Sequence, residues 1–138
     1  MPLDILKFSI AGLPWFALYL AATLVLFVVF LFIYVRITPY HEIALIREGN
    51  SAAAASTGGA MLGFVIPLAN AVVQSANLAD MVMWGVIALV VQLLVYAIVS
   101  RTIPDIARGI AEGKVAQGVF LGAVSIATGI LNAACITY

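Results

Sequence analysis

The side chains with most chemistry to offer inside the long apolar runs of this chain are amides. Asn70, Gln74 and Gln92, with Thr128 and Asn132, supply neutral donors and acceptors that could line a narrow polar path across a bilayer. The same groups could instead tie helices together, each such bond contributing about 1 kcal/mol. No Asp, Glu, Lys, Arg or His falls near the middle of an apolar run, whereas proton relays, voltage sensors and ion-coupled carriers ordinarily use one. His41 and Glu42 are adjacent rather than spaced for a metal, and read as interfacial residues of a solvated basic loop. Cys135 is the single cysteine, so an internal disulfide is impossible and its simplest reading is a small apolar side chain. There is no phosphate loop, dinucleotide fingerprint or HExxH pattern. Serines and threonines occur without a membrane-embedded His or carboxylate to activate them. The chain therefore reads as no enzyme, with no cofactor and no metal.

The elements that must position these amides are membrane spans. Of 138 residues, 65% are hydrophobic and 9% charged, with a mean hydropathy of +1.20, well outside soluble composition. A net charge of zero gives no reason to expect a nucleic-acid partner. Apolar, uncharged stretches run from Pro14 to Val35, Asn50 to Ala79, Met81 to Ser100 and Val115 to Tyr138, and about 20 apolar residues cover a hydrocarbon core. Without alternating polarity a barrel is excluded, so an all-α integral membrane protein with four transmembrane helices is expected. Arg36 and Arg47 lie between spans one and two, and Arg101, Arg108 and Lys114 between spans three and four; the opposite side offers only Lys7. The excess of basic residues places both of those connections in the cytoplasm and both termini outside. Trp15, Trp84 and Tyr138 fall at outer edges, while Tyr34, Tyr40 and Tyr96 fall at or near inner ones. No removable signal peptide is expected, and Leu3 to Ile10 reads as a short interfacial helix.

The chain also reads as one two-span unit written twice, residues 1–75 and 76–138, which makes two parallel helical hairpins in tandem. Arg36, Thr38 and Pro39 are answered by Arg101, Thr102 and Pro104, and Glu48-Gly49 by Glu112-Gly113. In each half proline is expected to begin a short elbow helix, with threonine as its N-cap and glycine in the left-handed conformation ending it. Spans one and three carry bulky residues and two and four small ones, which suggests outer and inner helices. Gly59, Gly63, Pro67, Asn70, Gln74 and Asn77 share one helical face of span two, and Gly118, Gly122, Ser125, Gly129 and Asn132 share one of span four. Each span contains a GxxxG, Gly59 with Gly63 and Gly118 with Gly122, a pattern that lets two backbones approach closely within the chain or between subunits. Pro67 could kink span two.

The stretches FLFIYVRITPYHEIALIREGN, LGFVIPLANAV, MWGVIALVVQLLVYAIV and GILNAACITY resemble the YjfL type of small bacterial inner-membrane proteins, a family classed under a domain of unknown function. The resemblance covers most of the chain and implies two tandem copies of a two-span domain in the bacterial inner membrane. It also implies an association with envelope-stress and phage-shock-type proteins, hence a cytoplasmic partner at the inner leaflet, and carries over no catalytic residue. Two functions follow. The first is a structural or partner-recruiting component of the bilayer, self-associating, that presents basic elbows at Arg36, Arg47, Arg101, Arg108 and Lys114. The second is an oligomeric channel or facilitator for a small neutral or cationic solute, lined by the amide stripe.

Overall fold

The computed structural model describes residues 1–137, so the outer-edge position expected for Tyr138 lies outside the described residues. Seven helices follow in order: α1 (Pro2–Ala11), α2 (Leu13–Ile37), α3 (Glu42–Arg47), α4 (Ser51–Gln74), α5 (Leu78–Thr102), α6 (Ile106–Ala111) and α7 (Val115–Cys135). Four units are long and apolar enough to cross a bilayer: α1 with α2, α4, α5 and α7. A short helix is present where one was expected, over Leu3 to Ile10, as α1, and it has no buried residue. Gly12 joins it to α2 with helical dihedrals, φ −80° and ψ −12°, so the chain barely interrupts its helix there.

The fold is organised by the pairing of α4 with α7. Ala52 meets Gly118, Gly59 meets Gly122, and Gly63 meets Gly129. The partners advance together along the two helices, so α4 and α7 run in the same direction. A methyl group built on Gly59 or Gly63 would fall inside the facing backbone, at Gly122 and Ser125 respectively. In lipid the hydrophobic effect does not drive helices together, so close backbone contact and hydrogen bonds must. Pro67 sits buried in an α4 that runs unbroken to Gln74. It cannot donate to the carbonyl of Gly63 four residues earlier, and that carbonyl lies instead against the backbone of Gly129.

The expected division into inner and outer helices holds only in part. α4 is the most enclosed helix and α2 the least, but α5 is more enclosed than α7. The reason is that α7 has one small-residue face, spent on α4, while Val119, Phe120, Ile130 and Leu131 on its other sides are exposed. α5 turns one broad face to three neighbours, α2, α4 and α7, burying Gly85, Ala88, Gln92, Tyr96 and Val99. α2 buries Phe30 and Tyr34 alone. Phe30 stacks on Phe64 at 4.5 Å between centroids, and Tyr34 meets Tyr96 edge-on at 5.7 Å.

The elbows also depart from expectation. Pro39 and Pro104 do not open the short helices, and Thr38 and Thr102 do not cap them: the N-cap positions are His41 and Asp105. A residue before proline is pushed into extended backbone. Thr38 (ψ 138°) and Ile103 (ψ 104°) obey, so each proline ends the long helix before it. The glycines behave as expected, Gly49 and Gly113 having φ of +85° and +83°.

Candidate functional site: a buried carboxylate under the first elbow

The extended backbone at Thr38 and Pro39 turns the chain back over the end of the bundle and carries Tyr40 and Glu42 inward. Glu42, in the first turn of α3, is only 1% exposed. This corrects its reading as a solvated interfacial residue; the neighbouring His41 is indeed exposed. Thr38 Oγ1 donates to Glu42 Oε1. Tyr34 reaches the same place from α2 and Tyr96 from α5. Ser56 of α4 stands beside the Tyr40 phenol, as does Tyr34. Neither the Tyr34 nor the Tyr40 hydroxyl completes a hydrogen bond of ordinary geometry.

No cation of the chain neutralises this carboxylate among the described residues, where the ion pairs join Met1 to Asp4 and both Arg108 and Lys114 to Glu112. Arg36, His41 and Arg47 line the open cleft of about 610 Å³ that Thr38, Tyr40 and Glu42 also line, but all three are exposed. The Arg36 guanidinium lies over the Phe32 ring, 4.7 Å from its centroid. Burial pushes the Glu42 carboxyl above the ordinary carboxylate range, opposed by the Thr38 hydrogen bond, a backbone hydrogen bond and the neighbouring His41. Burial likewise raises the Tyr40 phenol.

The amides singled out in the sequence are elsewhere, and the structure does not gather all of them. Asn70 Nδ2 donates to Ala133 O of α7 at 2.7 Å, and Gln92 Nε2 donates to Ser125 O of α7 at 3.0 Å. Gln74 is exposed, and Thr128 and Asn132 are half-buried. The amides that face protein thus reach α7 carbonyls from α4 and α5, which fastens the seam. Asn50, unremarked among the candidates, does more. Its Oδ1 accepts from Ala53 N at 2.9 Å, capping α4, while its Nδ2 donates to Ile110 O at 2.9 Å and to Ala111 O at 3.3 Å. One side chain therefore joins the two elbows. The five basic residues of the elbow end, Arg36, Arg47, Arg101, Arg108 and Lys114, are all exposed.

Residues 8–136 match a family described as Domain of Unknown Function (DUF350). The chain belongs to the DUF350 family. It is 42% identical over 123 residues to the UPF0719 inner membrane protein YjfL of Escherichia coli strain K12, covering 89% of this chain and 93% of that one. The protein of the same name in Escherichia coli O157:H7 is equally similar. The UPF0719 transmembrane protein YshE of Bacillus subtilis strain 168 is 32% identical over 88 residues, 64% of this chain and 66% of its own. No solved structure matches. Membership of DUF350, with four helices of spanning length, makes this a multi-pass inner-membrane protein.

In this DUF350 chain the buried carboxylate was missed because local sequence places it in a polar loop, between His41 and Ile43. One signal was available. The residue 64 positions on from Glu42, in the second elbow, is Ile106, which is 1% exposed. Laying one elbow on the other therefore puts Glu42 at an apolar position.

The raised Glu42 value makes stability depend on pH. A carboxyl whose folded value exceeds the ordinary 4.5 contributes fully below that value, and its contribution is lost as pH rises through the raised one. Unfolding in mixed detergent micelles between about pH 4 and 8 should show the protein weakening as pH rises, with Glu42→Gln removing that part of the slope. An unchanged slope in the variant would mean that Glu42 is solvated.

Proposed function

We propose that this protein is a non-catalytic scaffold of the bilayer that holds two basic elbows at the cytoplasmic face for a protein partner with an acidic surface. The observation that carries this reading is the exposure of Arg36, Arg47, Arg101, Arg108 and Lys114 at one end of the bundle, on the elbow helices α3 and α6 and the ends of the long helices beside them, with the two elbows joined through Asn50. The basic excess at that end supports a cytoplasmic orientation. The engagement of Asn70 and Gln92 with α7 carbonyls supports a packing role for them rather than a conduit. The two elbows differ in how free their charge is. Glu112 already pairs with Arg108 at 3.2 Å and with Lys114 at 3.7 Å, while Arg47 has no ion pair among the described residues, so Arg47 is the charge left free for a partner.

Reversing Arg47, Arg108 and Lys114 to Glu is expected to abolish recovery of a cytoplasmic protein with the purified membrane protein while leaving its thermal unfolding unchanged. The Arg47→Glu single variant should account for more of the loss than Lys114→Glu. Recovery that survives all three reversals would remove the elbows from the interaction. Partner-free binding to vesicles of anionic lipid, absent with neutral lipid, would assign the charge to the membrane surface instead.

A further inference from the structure

We propose that Glu42, with the hydroxyls of Tyr34, Thr38 and Tyr40 around it, is a binding site for one compact monovalent cation, a proton or an alkali ion. The inference is independent of the scaffold reading. It starts from a charge that the chain does not balance. A carboxylate removed from water costs several kcal/mol unless a positive charge accompanies it, and Glu42 is 1% exposed with no ion pair among the described residues.

The composition of the site selects the size and charge of its occupant. A single carboxylate is neutralised by a single positive charge, and a divalent ion would leave an excess. The surrounding atoms are oxygens of hydroxyl groups, which suit hard cations and not the softer metals that prefer imidazole or thiolate. No cluster of three His, Cys, Asp or Glu exists among the described residues to suggest a transition metal. The Tyr34 and Tyr40 side chains are 1% and 7% exposed, and their phenol oxygens have no hydrogen-bond partner of ordinary geometry. Buried hydroxyls that lean on one another beside a buried carboxylate keep lone pairs that an occupant would use.

Packing gives no reason for an acid here. At the matching place in the second elbow Ile106 is buried to the same extent, and replacing buried charge by an apolar residue is ordinarily neutral or stabilising. The groups facing Glu42 are Tyr34 from α2, Thr38, Tyr40 and His41 from its own turn and Tyr96 from α5, while Ser56 of α4 stands beside the Tyr40 phenol. Arg36 and Arg47 stand in the cleft by which an ion would enter. Their charge raises the cost of entry for any cation, and most for a multivalent one.

The chain has three glutamates, Glu42, Glu48 and Glu112, and the last two are exposed. They serve as internal references for carbon NMR of the full chain in nanodiscs, with the glutamate carboxyl labelled. In choline chloride one carboxyl resonance, absent from Glu42→Gln, should titrate above the ordinary carboxylate range. Replacing choline by sodium or potassium distinguishes the occupants. An alkali ion that competes with the proton lowers the midpoint by about one unit per tenfold rise in its concentration above saturation, whereas a site for the proton alone leaves the midpoint where it was. If Glu42→Gln does not fold, the assignment comes from Tyr34→Phe with Tyr40→Phe, which should move the same resonance and no other. A Glu42 resonance that titrates with Glu48 and Glu112 in all three salts, or that ignores loss of both phenols, overturns the site.

Discussion

Gly59→Ala will destabilise the bundle by about 3 kcal/mol, and Gly58→Ala, one residue away, will not destabilise it at all. The added methyl at position 59 would lie inside the Gly122 backbone, whereas nothing stands within 4 Å of a methyl at position 58. A clash with a backbone cannot be relieved by turning a side chain. It must push α4 and α7 apart, opening the contacts at Gly63 with Gly129 and at Ala52 with Gly118. At position 58 the substitution brings only the better helix propensity of alanine, at most about 1 kcal/mol. The measurement is unfolding by increasing detergent denaturant in mixed micelles, followed by the fluorescence of Trp84 with Trp15 replaced by Phe in every variant. Equal behaviour of the two variants would show that α4 and α7 do not meet along this seam.

The second large effect is expected at Asn50. Loss of the α4 cap costs about 1 kcal/mol, and loss of the amide bonds to Ile110 O and Ala111 O about 1 kcal/mol more, so Asn50→Ala should cost about 2 kcal/mol. Asn50→Asp should recover roughly half of that, because it keeps the acceptor that Ala53 N uses and loses the donor that reaches α6. Lys114 provides the contrast. It occupies the same N-cap position on α7 but makes no side-chain cap bond, and Lys114→Ala should change stability little. If Asn50→Asp and Asn50→Ala cost the same, the bridge between the elbows contributes nothing.

How far the residues announced this structure depended on the range of the forces involved. The spans were legible because lipid acts on each segment separately: an uncharged run such as Met81 to Ser100 must be helical whatever it packs against. The seam was legible for a related reason, since steps of three and four between Gly59, Gly63, Gly118, Gly122, Ser125 and Gly129 put backbone on one face of each helix. Left-handed Gly49 and Gly113 followed from local sterics. What escaped detection depended on neighbours distant in sequence. Glu42 looks solvated until Tyr34 and Tyr96 arrive from two other helices. α7 looks as enclosed as α4 until only one of its faces finds a partner. The threonine caps failed on a local rule applied to the wrong residue, because the constraint that proline places on Thr38 and Ile103 outranked the capping preference.

The leading helix is moored over its C-terminal part. Phe30 and Tyr34 are the buried residues of α2, Tyr19, Ala22, Leu26 and Phe27 pack against the core with one side, and every residue before Tyr19 is exposed. With about 1.5 Å of rise per residue, residues 2–18 run for some 25 Å beyond Tyr19. A tilt of only ten degrees about Tyr19 would therefore sweep the far tip through about 4 Å, so the N-terminal rod can swing against lipid without breaking a fully buried contact.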